Sequence, residues 1–213
     1  MRVLDLACGH GRIANAFASR GVEVVGLDEN ERFLERARRV APGDKAAVEY
    51  VRGDMRSLPW RDEFDAVVCW FTSFGYFTDA GNFAVLTEAF GALRAGGRLL
   101  IDTQNRDRLI AGLRRPLEMV VEHPEDDGSL LVDRTEYDVE SGRTETARTV
   151  VRAGKVRRTR FSVRLFSFVE LRDWFERAGF TGVAGRSAPN TPLTLESPRM
   201  RVIGRKPEVA GEG

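Results

Sequence analysis

An acid and two glycines, Asp5, Gly9 and Gly11, stand close together near the start of the chain. The apolar residues around Asp5 predict a short buried strand, and a helix is expected to begin near Arg12. A glycine turn between strand and helix lets the backbone approach a ligand closely. The first turn of the helix adds unpaired N–H groups and a partial positive charge. The stretch therefore predicts a binding site of the nucleotide type.

A second acid supports this interpretation. Asp28 ends the next predicted strand, residues 22–27. A carboxylate at that position can accept hydrogen bonds from both hydroxyls of a ribose. Asp28 can also cap the helix expected from Asn30, and one carboxylate can serve both purposes. We therefore expect Asp28 to bind the ribose of an adenosine-type ligand.

The glycine turn fits two classes of nucleotide site. Residues 9–14, Gly-His-Gly-Arg-Ile-Ala, match the pattern G-x-G-x-x-G/A of nicotinamide-dependent dehydrogenases. The string D-x-A-x-G-x-G, residues 5–11, resembles motif I of the class I S-adenosylmethionine-dependent methyltransferases, with Ala7 in place of the commoner first glycine. A carboxylate inside the strand suits that class, because the methionine end of its cofactor carries an ammonium group and no pyrophosphate. We therefore favour the methyltransferase interpretation.

Two later stretches extend the resemblance. The triplet Gly-Asp-Met, residues 53–55, follows a predicted strand, and in the family such a triplet holds the adenine. The run L-x-x-G-G-x-L-L-I, residues 93–101, is similar to the family's step into strand five. The resemblance covers residues 2–108 continuously. It implies an α/β fold with a Rossmann-like seven-stranded methyltransferase sheet, a terminal antiparallel hairpin and an antiparallel β insertion after strand five.

The cofactor implied by the resemblance is S-adenosyl-L-methionine, and no metal is expected. Its contacts are expected to come from the glycine turn and from the ends of strands two, three and four. The expected cofactor-binding residues are Asp5, Ala7, Cys8, Gly9, Gly11, Arg12, Asp28, Glu29, Asp54, Met55, Trp70 and Phe71.

An aromatic loop follows the fourth predicted strand. Its residues 73–77, Ser-Phe-Gly-Tyr-Phe, resemble the same loop of small-molecule methyltransferases, including the N,N-dimethyltransferases of deoxyamino sugars. Those enzymes carry a histidine where Tyr76 stands. Aromatic faces attract a sulfonium cation, although an aromatic run can also be core. We expect Phe74, Tyr76 and Phe77 to bind the acceptor substrate, with Tyr76 as the candidate catalytic residue.

From about residue 115 the pattern changes to alternating polar and apolar residues, which predicts an antiparallel meander. We interpret residues 115–166 as an insertion that caps the substrate side of a single methyltransferase domain, residues 1–213. For the arginines and acids of the predicted strands, we expect cross-strand charge pairing in preference to a basic patch. These residues are Arg157, Arg158, Arg160, Arg164, Glu136, Asp138, Glu140 and Glu145.

The composition limits which kinds of binding partner can be expected. The 213 residues carry a formal net charge of +1, which gives no general reason to expect nucleic acid or membrane binding. Only two cysteines occur, and no apolar stretch approaches the 18 residues or so of a membrane span. We expect a cytoplasmic protein, monomeric or homodimeric, whose partner is a small-molecule methyl acceptor.

The predicted function is methylation of a small-molecule acceptor, on nitrogen or oxygen, by in-line transfer. A non-catalytic S-adenosylmethionine-binding protein and an RNA methyltransferase are the alternatives. Family members usually have a helical segment before strand one that closes over the cofactor, whereas Met1 stands directly before the first predicted strand. Either the insertion folds further over the site, a second subunit supplies the cover, or the natural chain starts upstream, and we favour the upstream start.

Overall fold

The computed structural model describes residues 1–41, 48–112, 117–123 and 129–208. In chain order the elements are β1 (Arg2–Leu6), α1 (Arg12–Ala18), β2 (Glu23–Asp28), α2 (Glu31–Arg39), β3 (Val48–Arg52), β4 (Phe64–Cys69), α3 (Asp79–Ala92), β5 (Leu93–Gln104), α4 (Arg106–Gly112), β6 (Leu117–His123), β7 (Ser129–Asp138), β8 (Arg143–Arg152), β9 (Lys155–Arg164), α5 (Phe168–Arg177), β10 (Thr181–Ala188), β11 (Thr191–Pro192) and β12 (Arg199–Arg205).

The larger sheet has the strand order β11-β10-β12-β5-β4-β1-β2-β3. Strands β1 to β5 run parallel, and β12 lies antiparallel between β5 and β10. The predicted Rossmann-like α/β class and its terminal hairpin are thereby confirmed. The sheet has eight strands where seven were predicted, because the two residues of β11 pair with the end of β10. The strand order reverses between β1 and β4, which is where open α/β sheets bind ligands.

Local sequence explains the elements that frame this crevice. In β1, residues 3–6 are all buried, as expected for a parallel strand covered on both faces. Side chains cap three helices: Asn30 accepts from the Arg32 N–H of α2, Thr78 from Gly81 of α3, and Ser167 from Glu170 of α5. These caps fix where each helix starts after the loop that precedes it.

The smaller sheet is an antiparallel meander in the order β6-β7-β8-β9. The antiparallel pairing predicted from the sequence joins all four of these strands. The predicted insertion boundary at residue 115 lies outside the described residues. In the described part of the chain, none of the predicted arginine–acid pairs forms. Charge pairing across the strands instead joins Asp133 to Arg148 and Glu118 to Arg134, which are directly opposed in the register.

Aromatic rings form the part of the core that joins α5 to the terminal hairpin. Phe175 is fully buried, and its ring centroid lies 5.2 Å from that of Phe180. Gly204 of β12 faces this ring so closely that a Cβ there would lie 2.7 Å from Phe175. The longest described helix has 14 residues, and none of the described helices is long and apolar enough to cross a membrane.

Phe175→Ala is expected to lower the free energy of unfolding by about 3–5 kcal/mol, because it removes a buried ring from a packed aromatic cluster. Urea denaturation followed by circular dichroism measures the change. Val169→Ala on the same helix is the matched control, since Val169 is 62% exposed and its loss should change stability by less than about 0.5 kcal/mol. Equal effects of the two substitutions would contradict the described packing.

Candidate active site

A cavity of about 370 Å³ lies at the carboxyl ends of β1, β2 and β3. This first cavity has the volume of a small-molecule site. Its lining comes from the glycine turn, the start of α2, the loop after β3 and the aromatic loop. The lining residues are Ala7, Gly9, Leu27, Asp28, Glu29, Asn30, Phe33, Gly53, Asp54, Met55, Ser73, Tyr76 and Phe77.

Asp28 holds the glycine turn in place. One carboxylate oxygen accepts the Gly9 N–H at 2.8 Å, and the other accepts the Asn30 N–H at 2.9 Å. The same carboxylate therefore fixes the turn, starts α2 and lines the cavity. Each oxygen has a second lone pair, so Asp28 keeps the capacity to accept two further donors.

Gly11 has a packing function that the motif did not reveal. Its φ is +80°, and a Cβ there would lie 2.1 Å from the Tyr50 hydroxyl. The Tyr50 hydroxyl donates to the Asn15 side chain at 2.7 Å. Gly11 therefore allows the Tyr50 ring to pack beneath the turn, and Gly11 itself is not among the residues lining the cavity.

Asp54 lies at the opposite wall of the cavity. Arg56 donates to both of its carboxylate oxygens, the shortest contact being 2.6 Å, and this hydrogen bonding lowers the pKa of Asp54. The sequence motif gave no indication of this arginine, nor of Phe33. Phe33 lines the cavity from α2 and is 48% exposed, which leaves an aromatic face available to a ligand.

Asp5 lies beneath the turn and is 2% exposed. Its Oδ2 atom has no hydrogen-bond partner among the described residues. Burial raises the pKa of Asp5 to about 7, while the Ala14 backbone N–H opposes that increase. Burial likewise raises the pKa of the neighbouring Cys8 thiol. Neither residue is among those lining the cavity, although the Asp28 carboxylate is close enough to contribute to the raised pKa of both.

Arginines cover the aromatic residues that follow β4. The Phe71 ring lies between the guanidinium groups of Arg12, at 4.0 Å, and Arg199, at 5.3 Å. The Arg201 guanidinium lies 5.2 Å from the centre of the Trp70 ring. Arg12, Trp70 and Phe71 are not among the residues lining the first cavity. The same cation–π attraction that was expected to hold a sulfonium holds guanidinium groups here.

A buried carboxylate that the sequence analysis missed fixes this loop. Asp102, at the end of β5, is fully buried and accepts from Arg199 and Arg201 and from the Phe71 N–H. Phe71 and Thr72 both have positive φ, 55° and 62°. Non-glycine residues adopt such angles only where their surroundings hold them. In the sequence, the only local indication of this role was that Asp102 is a charged residue inside an apolar strand.

A second cavity, of about 980 Å³, lies between the aromatic loop and the smaller sheet. Tyr76 and Phe33 line both cavities. The Tyr76 ring stacks on Phe161 of β9 with 6.4 Å between centroids, and partial burial raises the pKa of Tyr76. Phe77 lines the first cavity. Phe74 lines neither, because its ring is buried against Phe166, so its expected contact with the acceptor is not supported.

The floor of the second cavity is polar. Asp133 and Arg148 form a two-pronged ion pair with N···O distances of 2.8 and 2.7 Å, and Asp133 is 5% exposed. The hydroxyls of Thr135 and Thr146 lie 2.9 Å apart and share a hydrogen bond. The remaining residues that line this cavity are Phe71, Thr72, Gln104, Leu109, Met119, Thr144, Arg157, Thr159, Val163 and Arg199.

Comparison with known proteins agrees with this fold. The sequence model of the methyltransferase domain family matches residues 3–97. Over these residues, the resemblance to the class I S-adenosylmethionine-dependent methyltransferases that the sequence predicted is confirmed. This likeness supports an enzyme of that class with S-adenosylmethionine as its cofactor.

Individual relatives show how far the likeness extends. Demethylmenaquinone methyltransferase of Clavibacter sepedonicus is 41% identical over 101 residues, 47% of this chain and 40% of that protein. Glycine/sarcosine N-methyltransferase of Parasynechococcus marenigrum is 35% identical over 114 residues, 52% of this chain and 40% of that protein. The chain spans about two fifths of the length of these curated relatives.

Solved structures match over nearly the whole chain. The S-adenosylmethionine-bound CalS10, an amino pentose methyltransferase from Micromonospora echinaspora, is 25% identical with a TM-score of 0.69, covering 96% of this chain and 83% of that chain. The CcbJ methyltransferase from Streptomyces caelestis has a TM-score of 0.84 at 20% identity, covering 97% and 83% respectively, which shows a shared fold.

Asp5→Asn is expected to make stability less dependent on pH. The folded-state pKa of Asp5, about 7, lies above the ordinary value of 3.8, so the folded state binds more protons than the unfolded state between those pH values. Stability therefore falls as pH rises from about 4 to about 7. Asparagine has no charge to bury, and the variant should be more stable at pH 8 by roughly 2–4 kcal/mol.

Urea unfolding at pH 4 and pH 8 measures this difference, which should largely disappear at the lower pH. Asp173→Asn is the control, because its carboxylate on α5 is 64% exposed. An unchanged pH dependence in Asp5→Asn would show that Asp5 does not titrate with the elevated pKa.

Proposed function

We propose that the protein transfers a methyl group from S-adenosylmethionine, bound in the first cavity, to a small polar acceptor bound in the second. The observation that carries this proposal is the pair of adjoining cavities with a shared wall at Tyr76 and Phe33. A protein that only binds the cofactor needs the first cavity alone.

The lining of the first cavity fits the cofactor. Asp28 has acceptor capacity for the two ribose hydroxyls. The adenine is assigned to the wall formed by Asp54, Met55 and Phe33, where an ionised acid and apolar surface lie together. The backbone at Gly9 approaches the remainder of the cofactor without a side chain. Asp5 acts on the methionine end through its charge, from beneath the turn.

The methyl acceptor is assigned to the second cavity. Bound S-adenosylmethionine supplies an activated methyl group on its sulfonium. The protein has to align the acceptor with that group and exclude water, which together can remove several kcal/mol of the barrier. Tyr76 contributes to the alignment and to the exclusion of water, because it lines both cavities. We infer that residues 115–166 act as the acceptor-side cover of a single domain.

We infer that the acceptor atom is an amine nitrogen. The raised pKa of Tyr76 keeps its phenol protonated near neutral pH, so Tyr76 orients the acceptor by a hydrogen bond and does not act as a general base. Among the described residues that line the second cavity, Asp133 is the only carboxylate, and Arg148 holds it. An amine that arrives neutral needs no base. CalS10, with an amino pentose as its named substrate, supports the same class.

Asp28→Ala is expected to weaken S-adenosylhomocysteine binding by about 1–3 kcal/mol, because it removes charge-assisted hydrogen bonds. Isothermal titration calorimetry measures the affinity, with the melting temperature of each variant as a check on folding. Glu35→Ala is the control, because Glu35 is exposed on α2 and does not line either cavity. Binding of NADH with none of S-adenosylhomocysteine would overturn the assignment.

Tyr76→Phe is expected to lower turnover roughly tenfold or more while leaving cofactor affinity unchanged, because one hydrogen bond to the acceptor is lost. Release of S-adenosylhomocysteine is measured with a panel of small amines and matched alcohols. Turnover of RNA alone would favour an RNA methyltransferase, and tight cofactor binding without turnover of any acceptor would favour a binding protein. If Tyr76→Phe lost cofactor binding, Tyr76 would have to be assigned to the cofactor site and not to the acceptor site.

A further inference from the structure

Three side chains on one face of the smaller sheet lie next to one another in the second cavity. Arg148 on β8 and Thr159 on β9 are directly opposed in the strand register. Arg157 stands two residues before Thr159 on the same strand and therefore points to the same face. All three line the cavity. A diagonal pair such as Arg148 and Arg157 has its Cα atoms about 7–8 Å apart, which two long side chains readily span.

Arg148 is held in a fixed orientation. Asp133 accepts from its Nε and from one of its terminal nitrogens, at 2.8 and 2.7 Å. The Arg148 guanidinium also lies 5.0 Å from the centre of the Phe161 ring. A guanidinium has five N–H donors, and the pair with Asp133 uses two of them. The other donors remain available to a ligand at no further cost in side-chain entropy.

Arg157 supplies positive charge that no protein acid balances in the described part of the chain. Three arginines line the second cavity. Arg148 is paired with Asp133, and Arg199 with Asp102. The Arg157 side chain has no hydrogen bond or ion pair to any described residue, although its backbone is paired with Val150 of β8. The cavity therefore contains one oriented guanidinium, one unpaired guanidinium and the hydroxyl of Thr159 between them.

We propose that Arg148, Thr159 and Arg157 form an oxyanion subsite that binds a phosphate or carboxylate group of the acceptor. Guanidinium groups recognise such anions through paired N–H···O bonds, and a hydroxyl between them donates a further bond. The inference rests on the proposed function, since it assigns the second cavity to the acceptor. It adds that the acceptor carries a negative charge.

The position of the subsite also sets which end of the acceptor is charged. Tyr76, at the shared wall of the two cavities, stacks on Phe161. Arg157 lies four residues from Phe161 along β9, or about 13 Å. Arg148 packs on the same Phe161 ring, 5.0 Å from its centre, so the subsite extends from a point near Tyr76 to Arg157 at its far end. The charge of Arg157 anchors the acceptor at the end away from Tyr76.

The test uses phenyl phosphate as the probe, with the whole chain saturated with S-adenosylhomocysteine. Calorimetry is expected to show saturable binding, weakened about tenfold or more by Arg157→Gln through the loss of a charge-assisted contact. Arg157 is exposed, so the variant should fold. Arg158→Gln is the matched control, because its side chain points to the opposite face of the same strand, and binding should change less than about twofold.

Two further probes identify the anion. Benzoate in place of phenyl phosphate tests a carboxylate, and phenol, which lacks the anionic group, should show no difference between the parent protein and Arg157→Gln. If Arg157→Gln and Arg158→Gln weakened anion binding equally, the loss would be explained by the change in net charge alone. That result would overturn the subsite. Absence of saturable binding of both anions to protein that still binds S-adenosylhomocysteine would overturn the subsite alone. Absence of S-adenosylhomocysteine binding would overturn the proposed function instead.

Discussion

The second cavity depends on one close backbone contact between the aromatic loop and the smaller sheet. The Arg164 N–H donates to the Gly75 carbonyl at 2.8 Å, and a Cβ on Gly75 would lie 2.3 Å from the Arg164 carbonyl oxygen. Arg143 strengthens the junction by donating to the carbonyls of Gly75 and Phe77. Because of this contact, the end of β9 lies against the aromatic loop. Tyr76, next to Gly75, is thereby placed against the smaller sheet and beside the first cavity.

Much of the fold was predictable because its information is local. Buried parallel strands are short apolar runs, and the acids that follow them, such as Asp28 and Asp54, stand at positions that a sequence motif fixes. The smaller sheet was predictable from its alternation. Alternation indicates that one face is more buried than the other, but it does not indicate what that face meets. For this reason the expected pairing of Arg157 with strand acids was wrong, and the Asp133–Arg148 pair was missed.

The parts of the site that were not predicted depend on contacts between distant parts of the chain. Asp102 binds Arg199 and Arg201, which lie almost a hundred residues further on. No local pattern connects them, because the whole meander lies between β5 and β12 in the sequence. The same pairing brings Arg199 over Phe71. A motif can therefore locate the aromatic loop but cannot show which of its rings remain open to a ligand.

The rings of Phe33 and Tyr76 have a thermodynamic consequence, since each is about half exposed and borders both cavities. A ligand in either cavity restricts the same two side chains. The first ligand to bind loses the conformational entropy of ordering these side chains, and the second ligand then does not lose it again. With cofactor and acceptor placed in the two cavities as proposed, we expect their binding to be coupled, and by linkage each would raise the affinity of the other by the same factor. Such cooperativity would come from two side chains and would need no movement of the sheets.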